Sequence, residues 1–289
     1  MPRLHDILRR RPKDRVVAAP GVYDMVSLRM ASSLGFEALY MTGYGTVASH
    51  LGLPDAGLAG YADMVGRVEA MARMAKAPLI ADGDTGYGGL LNVRHTVRGY
   101  ERAGAAAIQL EDQEFPKRCG HTPHRRVISQ EDMVRKIKVA VEARTSADFL
   151  IIARTDARSA LGLAEAIRRA CAYAEAGADL LFVESPESEA EMAETGRELG
   201  SKPLVANMVE GGRTAVVSGA RLAELGYALA IYPVAGLLAA AAALEAVYRQ
   251  IGSTGSSLGA GVALYPFAEM NRLMGFDEVW RFDREHAEV

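Results

Sequence analysis

The 289-residue sequence predicts an α/β fold, a (β/α)8 barrel of parallel strands, from three observations. First, an amphipathic helix, a glycine and a short apolar run follow one another at 28–42, 100–112, 173–185 and 222–233. Glycine suits the helix C-cap, and the run after it is too short for another helix. Second, filling the gaps gives eight strands, at 16–20, 38–42, 79–82, 107–111, 149–154, 180–184, 203–207 and 228–232. Most are continuously apolar, as parallel strands buried on both faces are. Third, six of the eight end on a polar residue: Thr42, Asp82, Glu111, Arg154, Glu184 and Asn207. In a barrel those ends converge on the face that carries the active site. An open doubly wound sheet is the alternative, but no early strand–GxGxxG–helix unit is present.

Composition narrows the class. With 49% hydrophobic and 24% charged residues the chain reads as globular, and a formal charge of −3 gives no electrostatic case for nucleic acid or an anionic membrane. The basic N-terminal stretch 1–15 lacks the apolar centre of a signal peptide. The longest apolar run, 234–247, falls short of the roughly 20 residues that cross a bilayer. Two cysteines form no disulfide framework, which fits a reducing cytoplasm. Cys171, inside a helical pattern, is expected to fill core space.

Taken in order, strand 38–42 leads into Thr42-Gly43-Tyr44-Gly45-Thr46, a glycine-rich turn whose amides can cradle a carboxylate or a phosphate. Tyr40 shares the strand face of Thr42. Helix 58–75 precedes strand 79–82, which runs into ADGDTGYGG at 81–89. Asp82 and Asp84 can meet one hard cation there, with Glu111 or Asp112 as a third oxygen ligand. No zinc-like His–Cys spacing is present, so Mg²⁺ or Mn²⁺ is the expected ion. Helices 91–103, 129–143, 162–176 and 187–199 separate the later strands. Arg154 offers a planar fork for a carboxylate and would be costly to bury without a partner; Glu184 and Asn207 complete the ring.

The stretch Lys117-Arg118-Cys119-Gly120-His121 follows the fourth strand. Neighbouring cations favour a thiolate, and Gly120 adds a hinge, so a reactive thiol on a closing loop is expected. The C-terminal part departs from the barrel repeat. Helix 234–251 is apolar on nearly all sides, 252–261 reads as a flexible linker, and a helical tail follows. The expected organisation is a barrel over 1–251, including that helix, and a linker and tail over 252–289. The over-apolar helix suggests exchange between subunits.

Together these motifs resemble the isocitrate lyase and phosphoenolpyruvate mutase superfamily. KRCGH at 117–121, QLEDQ at 109–113 and ADGDTGYGG carry the likeness, with LPDAGL (53–58), ARTDA (153–157), VESP (183–186) and NMVEGG (207–212). The resemblance implies a barrel whose last helix swaps between subunits, in a homotetramer of two swapped dimers. It implies Mg²⁺ held by Asp82, Asp84 and Glu111, with Asp55 in support. Thr42, Gly43, Tyr44, Arg154 and Asn207 match positions that hold the α-hydroxy or α-keto carboxylate. Cys119 matches the catalytic cysteine of the lyase branch on a gating loop, and mutase members usually lack that motif.

The implied reaction is cleavage of a 2-hydroxy di- or tricarboxylate to pyruvate and a second carboxylate, with Tyr40 as base and Cys119 as acid. Lys117, Arg118 and His121 would stabilise the charge left behind. Relatives that cleave methylisocitrate or isocitrate present Ser-Gly-Gly where this chain has Thr42-Gly43-Tyr44, and a hydroxyl residue near Met208-Val209. The bulkier, less polar residues here favour a dicarboxylate such as 2,3-dimethylmalate, though Glu210 and Arg213 could restore polarity. The alternatives are methylisocitrate cleavage, oxaloacetate decarboxylation or hydrolysis, phosphonate formation, and a barrel that binds a keto acid without turnover.

Overall fold

All eight expected strands form in a computed structural model, which describes residues 2–120 and 125–287. The chain begins with α1 (Leu4–Arg10), β1 (Val17–Val22), α2 (Met25–Ser33), β2 (Leu39–Met41), α3 (Gly43–Leu51) and α4 (Tyr61–Met74). Next come β3 (Leu79–Asp82), α5 (Leu90–Arg102), β4 (Ala107–Glu111), α6 (Gln130–Ala143), β5 (Leu150–Thr155), the short α7 (Arg158–Leu161) and α8 (Leu163–Glu175). The last part holds β6 (Leu180–Val183), α9 (Glu189–Leu199), β7 (Val205–Asn207), α10 (Gly219–Glu224), β8 (Leu229–Tyr232), α11 (Ala235–Thr254), α12 (Phe267–Met274) and α13 (Phe276–His286). The strands are all parallel, β1 to β6 in sequence order and β1 to β8 to β7 on the other side. The seam between β6 and β7 carries one parallel bridge, Leu181 to Leu204, so the barrel is nearly closed.

Period-two alternation divides the core. Tyr40, Ile80, Ile152, Phe182 and Ile231 point into the barrel, while Met41, Ala81, Ile151, Leu181 and Val183 face the helices. Met64, Val68, Tyr100, Ile137 and Tyr173 cover that outer face. Each fully buried side chain of this size stabilises by about 1.5–3 kcal/mol. Serines cap three helices, Ser129, Ser188 and Ser218 each accepting from the backbone N–H three residues on, at 3.1–3.2 Å.

Four details differ from the sequence reading. The basic N-terminal stretch holds α1, whose Leu4, Ile7 and Leu8 join the inner core; its apolar residues are too few to stand out in a short window. The glycine-rich segment after β2 is not an open turn but the first turn of α3, capped by Thr42. Helix α11 runs through Gly252 to Thr254, so the irregular linker starts at Gly255. Cys171 is exposed on α8 rather than packed in the core, because the buried stripe of that helix is Ala166, Arg169, Ala170 and Tyr173. Among the described residues no helix is long and apolar enough to cross a membrane.

Candidate active site

At the C-terminal ends of the strands lies a cavity of about 260 Å³. It is smaller than the roughly 300–1,000 Å³ of drug-sized ligand sites, which suits a small organic acid. Its polar wall comes from Tyr40, Thr42, Asp82, Glu111, Arg154 and Asn207. Parallel register explains the grouping: Glu111 pairs directly with Arg154, and Asp82 with Gln109. Asp55, Lys117, Arg118, Cys119 and Gly120 close one side. An apolar wall of Val209, Ile231, Pro233, Val234 and Leu238 closes the other.

Arg154 is the most constrained group. Its fork donates to Asp156 twice, from Nε at 2.9 Å and Nη2 at 3.0 Å. Glu184 lies 3.3 Å from Nη1 and Glu111 lies 3.4 Å from Nε. The guanidinium also sits over the Phe182 ring, 5.1 Å from its centre. Glu184 itself is fully buried behind the wall, where Oε2 accepts from Asn207 Nδ2 at 3.0 Å. It contacts Arg154 and Asn207 and does not itself line the cavity.

The aspartates of this site are tied into the backbone and to Lys117. Asp82 accepts from the Gly43 N–H at 3.3 Å, the Asp84 N–H at 3.1 Å and Gln109 Nε2 at 3.4 Å. A Cβ on Gly43 would stand 2.6 Å from Asp82 Oδ2, so this approach requires glycine. With Gly45 N–H bonded to Thr42 Oγ1 at 3.4 Å, two amides of the expected anion cradle already have partners. The buried Lys117 ammonium bridges Asp55 and Asp84, the latter at 2.6 Å. Burial, with Asp82 and Asp55 nearby, outweighs Lys117 and pushes the Asp84 carboxyl up to about 7. Burial also holds Glu111 well above the usual carboxylate range, against the pull of Arg154.

A raised Asp84 carries a stability consequence. Between the usual carboxylate range and about pH 7 the folded chain keeps a proton that the unfolded chain has released, so this group's contribution falls as pH rises. In metal-free protein, denaturation from pH 4.5 to 7.5 is expected to show wild-type stability declining relative to Asp84→Asn. A flat or rising difference would contradict the assignment.

Cys119 is half-buried, and the chain around it is held by side chains. The Arg118 N–H donates to Gln113 Oε1 at 2.9 Å, and Gln113 Nε2 donates back to the Arg118 carbonyl at 2.8 Å. A Cβ on Gly120 would overlap the Arg154 guanidinium and lie 2.9 Å from Glu184 Cδ, so only glycine lets the backbone beside Cys119 pass this close to the arginine. His121 lies outside the described residues. Tyr40 donates to Gln109 Oε1 at 3.2 Å, and burial, then Asp82, pushes its phenol well above the ordinary value. In the ligand-free site it is a neutral donor.

The remaining alternatives at the strand ends are resolved by alternation. Glu111 points inward, whereas Asp112 points outward and accepts from Thr155, the Asp156 N–H, Arg169 and Tyr173. Met208 packs in the outer core and only Val209 lines the cavity. Glu210 lines it too, while Arg213 lies 3.5 Å from Glu187. Gln109, Gln113, Asp156 and Ser185 were missed by sequence reasoning. For Gln109 a signal existed: a lone amide inside AIQLE, two residues before Glu111 and hence on its face.

Among the described residues no three His, Cys, Asp or Glu side chains are set to hold a metal ion. Asp84 is instead engaged by Lys117. The donor chemistry still fits a hard cation: Asp82 and Glu111 line the cavity, and Glu111 Oε1 is a buried acceptor without a hydrogen-bond partner.

Residues 6–252 match the family described as phosphoenolpyruvate phosphomutase. The chain belongs to this family, within the isocitrate lyase superfamily. Its relatives place it in the lyase branch of that superfamily, and it is accordingly an enzyme of the carbon–carbon lyase type. It is 46% identical over 273 residues to 2,3-dimethylmalate lyase of Eubacterium barkeri, covering 94% of each chain. It is 42% identical over 277 residues to 2-methylisocitrate lyase of Aeropyrum pernix, covering 96% of this chain and 88% of that one. The solved structure of oxaloacetate acetylhydrolase with 3,3-difluorooxalacetate superposes with a TM-score of 0.90 at 35% identity, covering 98% and 96%. These superfamily members share the barrel and differ in the carboxylic acid that their names specify.

Proposed function

We propose that this chain is a Mg²⁺-dependent lyase that cleaves a substituted malate, such as 2,3-dimethylmalate, into pyruvate and a carboxylate such as propionate. The observation that carries this reading is the mixed cavity lining, with Arg154 and the carboxylates beside the apolar Val209, Ile231, Pro233, Val234 and Leu238, among which Glu210 is the single charge. A malate bearing methyl groups presents the same mixture. The relative named 2,3-dimethylmalate lyase supports the choice.

Arg154 and Asn207 hold the C1 carboxylate, with Thr42 and Tyr44 on its flank. Asp82 and Glu111, with Asp55 on the same cavity and Asp84 joined to it through Lys117, would hold Mg²⁺ or Mn²⁺. When bound, the ion supplies Lewis-acid polarisation of the C2 oxygen and counter-charge for the oxyanion. The C2 hydroxyl then gives its proton to Tyr40 as a phenolate, the form that a cation held by Asp82 and Glu111 would favour, and the C2–C3 bond breaks. C2 becomes the carbonyl of pyruvate, and the electron pair stays on C3 as an aci-carboxylate. Cys119 delivers a proton to C3, and Lys117 and Arg118, with His121, favour the thiolate that remains.

The test is pyruvate release across 2-hydroxy di- and tricarboxylates with Mg²⁺, with a chelated control. Dimethylmalate is expected to lead. Succinate from methylisocitrate at a higher kcat/KM would replace the dicarboxylate reading, and oxalate from oxaloacetate would favour a hydrolase. No release from any acid would leave a binding barrel.

The same reading extends to assembly. Helix α11 has no buried residue, and Leu244, Tyr248, Ile251, Phe267, Trp280 and Phe282 on α11 to α13 are exposed. An apolar surface of this extent is covered in a homotetramer of two helix-swapped dimers. Sedimentation at micromolar concentration should give a tetramer; a monodisperse monomer would rule this assembly out.

A further inference from the structure

One buried cation has no place in the chemistry above. Arg125 lies in the stretch between β4 and α6, yet its side chain is fully shielded from solvent. Its Nη1 donates to Asp156 Oδ1, and Nη2 donates to Ser159 Oγ and, at 3.4 Å, to Ser185 Oγ. Asp156 Oδ1 also accepts from Arg154 Nη2 at 3.0 Å. Two guanidinium groups thus share one carboxylate oxygen, and only Arg154 reaches the cavity. Asp156 is fixed from behind, since its N–H donates to Asp112 Oδ1 at 2.8 Å.

Charge around Arg154 explains why a second cation matters. Three carboxylates approach it: Asp156, Glu184 and Glu111. Asp156 holds the Arg154 fork by two hydrogen bonds, so its charge competes directly with a substrate carboxylate for the same guanidinium. We propose that Arg125 is a positioning residue for substrate capture: by sharing Asp156 it keeps the Arg154 fork aimed, and its charge available, for the substrate carboxylate. The proposal rests on Arg154 being the carboxylate clamp. Ser185 extends the same arrangement, because its Oγ also bonds Glu184 Oε1 at 2.9 Å and the Gly120 carbonyl at 3.1 Å.

The test compares pyruvate with its neutral isostere pyruvamide, both titrated by calorimetry into Mg²⁺-loaded protein. Arg125→Met is expected to weaken pyruvate about 10- to 100-fold while leaving pyruvamide nearly unchanged, and Arg125→Lys should restore most of the loss. Ser159→Ala, which loosens Arg125 without unpairing Asp156, should weaken pyruvate severalfold in the same selective way. It keeps the test open if Arg125→Met does not fold. Equal loss for both ligands would mean a merely structural role and overturn the proposal, as would wild-type pyruvate affinity in Arg125→Met or, should that variant not fold, in Ser159→Ala. If wild-type protein binds neither ligand, the lyase reading fails and this proposal falls with it; selective failure in the variants alone leaves the lyase reading intact.

Discussion

Cys119→Ser is expected to lower kcat by about 10²–10⁴-fold, the usual worth of a positioned general acid, with KM little changed. A hydroxyl has nearly the same shape as a thiol but is a far weaker acid, so the carbanion at C3 waits for its proton. Because Cys119 is half-buried and the chain beside it is held by Gln113, folding should be unaffected. Thermal melts would establish that, and pyruvate release would measure kcat. Wild-type turnover in Cys119→Ser would remove the thiol from the chemistry.

Arg154→Ala is the second large effect, and it acts on folding and binding together. Removing the guanidinium leaves Asp156, Glu184 and Glu111 buried around an empty space. Breaking a buried pair from one side costs about 3–5 kcal/mol, so a clear drop in denaturation midpoint should accompany loss of pyruvate binding. Arg154→Lys separates the two contributions. It keeps the charge but not the fork that meets Asp156 in two-point contact, so stability should largely return while kcat/KM stays about 10- to 100-fold down. If Arg154→Lys restored activity in full, the two-point geometry would be irrelevant and Arg154 would act as a point charge.

The barrel was legible because period and punctuation are local properties. Strands β3 and β4 were read to the residue, since each is an apolar run that ends on a charge. Helices α1 and α3 were not read. In α1 only three buried apolar residues mark the face, and in α3 two glycines in the first turn mimic a loop. What makes α3 a helix is the Thr42 cap and the bond from Gly43 to Asp82, a partner 39 residues away. Likewise the sequence does not show that Glu184 is buried against Arg154 and Asn207 rather than lining the cavity.

The sequence by itself therefore determined the strand-and-helix alternation, the set of polar strand ends and the basic stretch that carries Cys119. Those follow from patterns a few residues long, which burial and backbone sterics impose on any chain of this class. Only the tertiary structure decided the pairing: that Lys117 bridges Asp55 and Asp84, that Glu111 stands beside Arg154, and that Arg125 reaches Asp156. Pairing depends on strand register and barrel curvature, which bring residues tens of positions apart to within 3.4 Å. A charge buried there is tolerated only with such a partner, and one sequence does not reveal which partner that is.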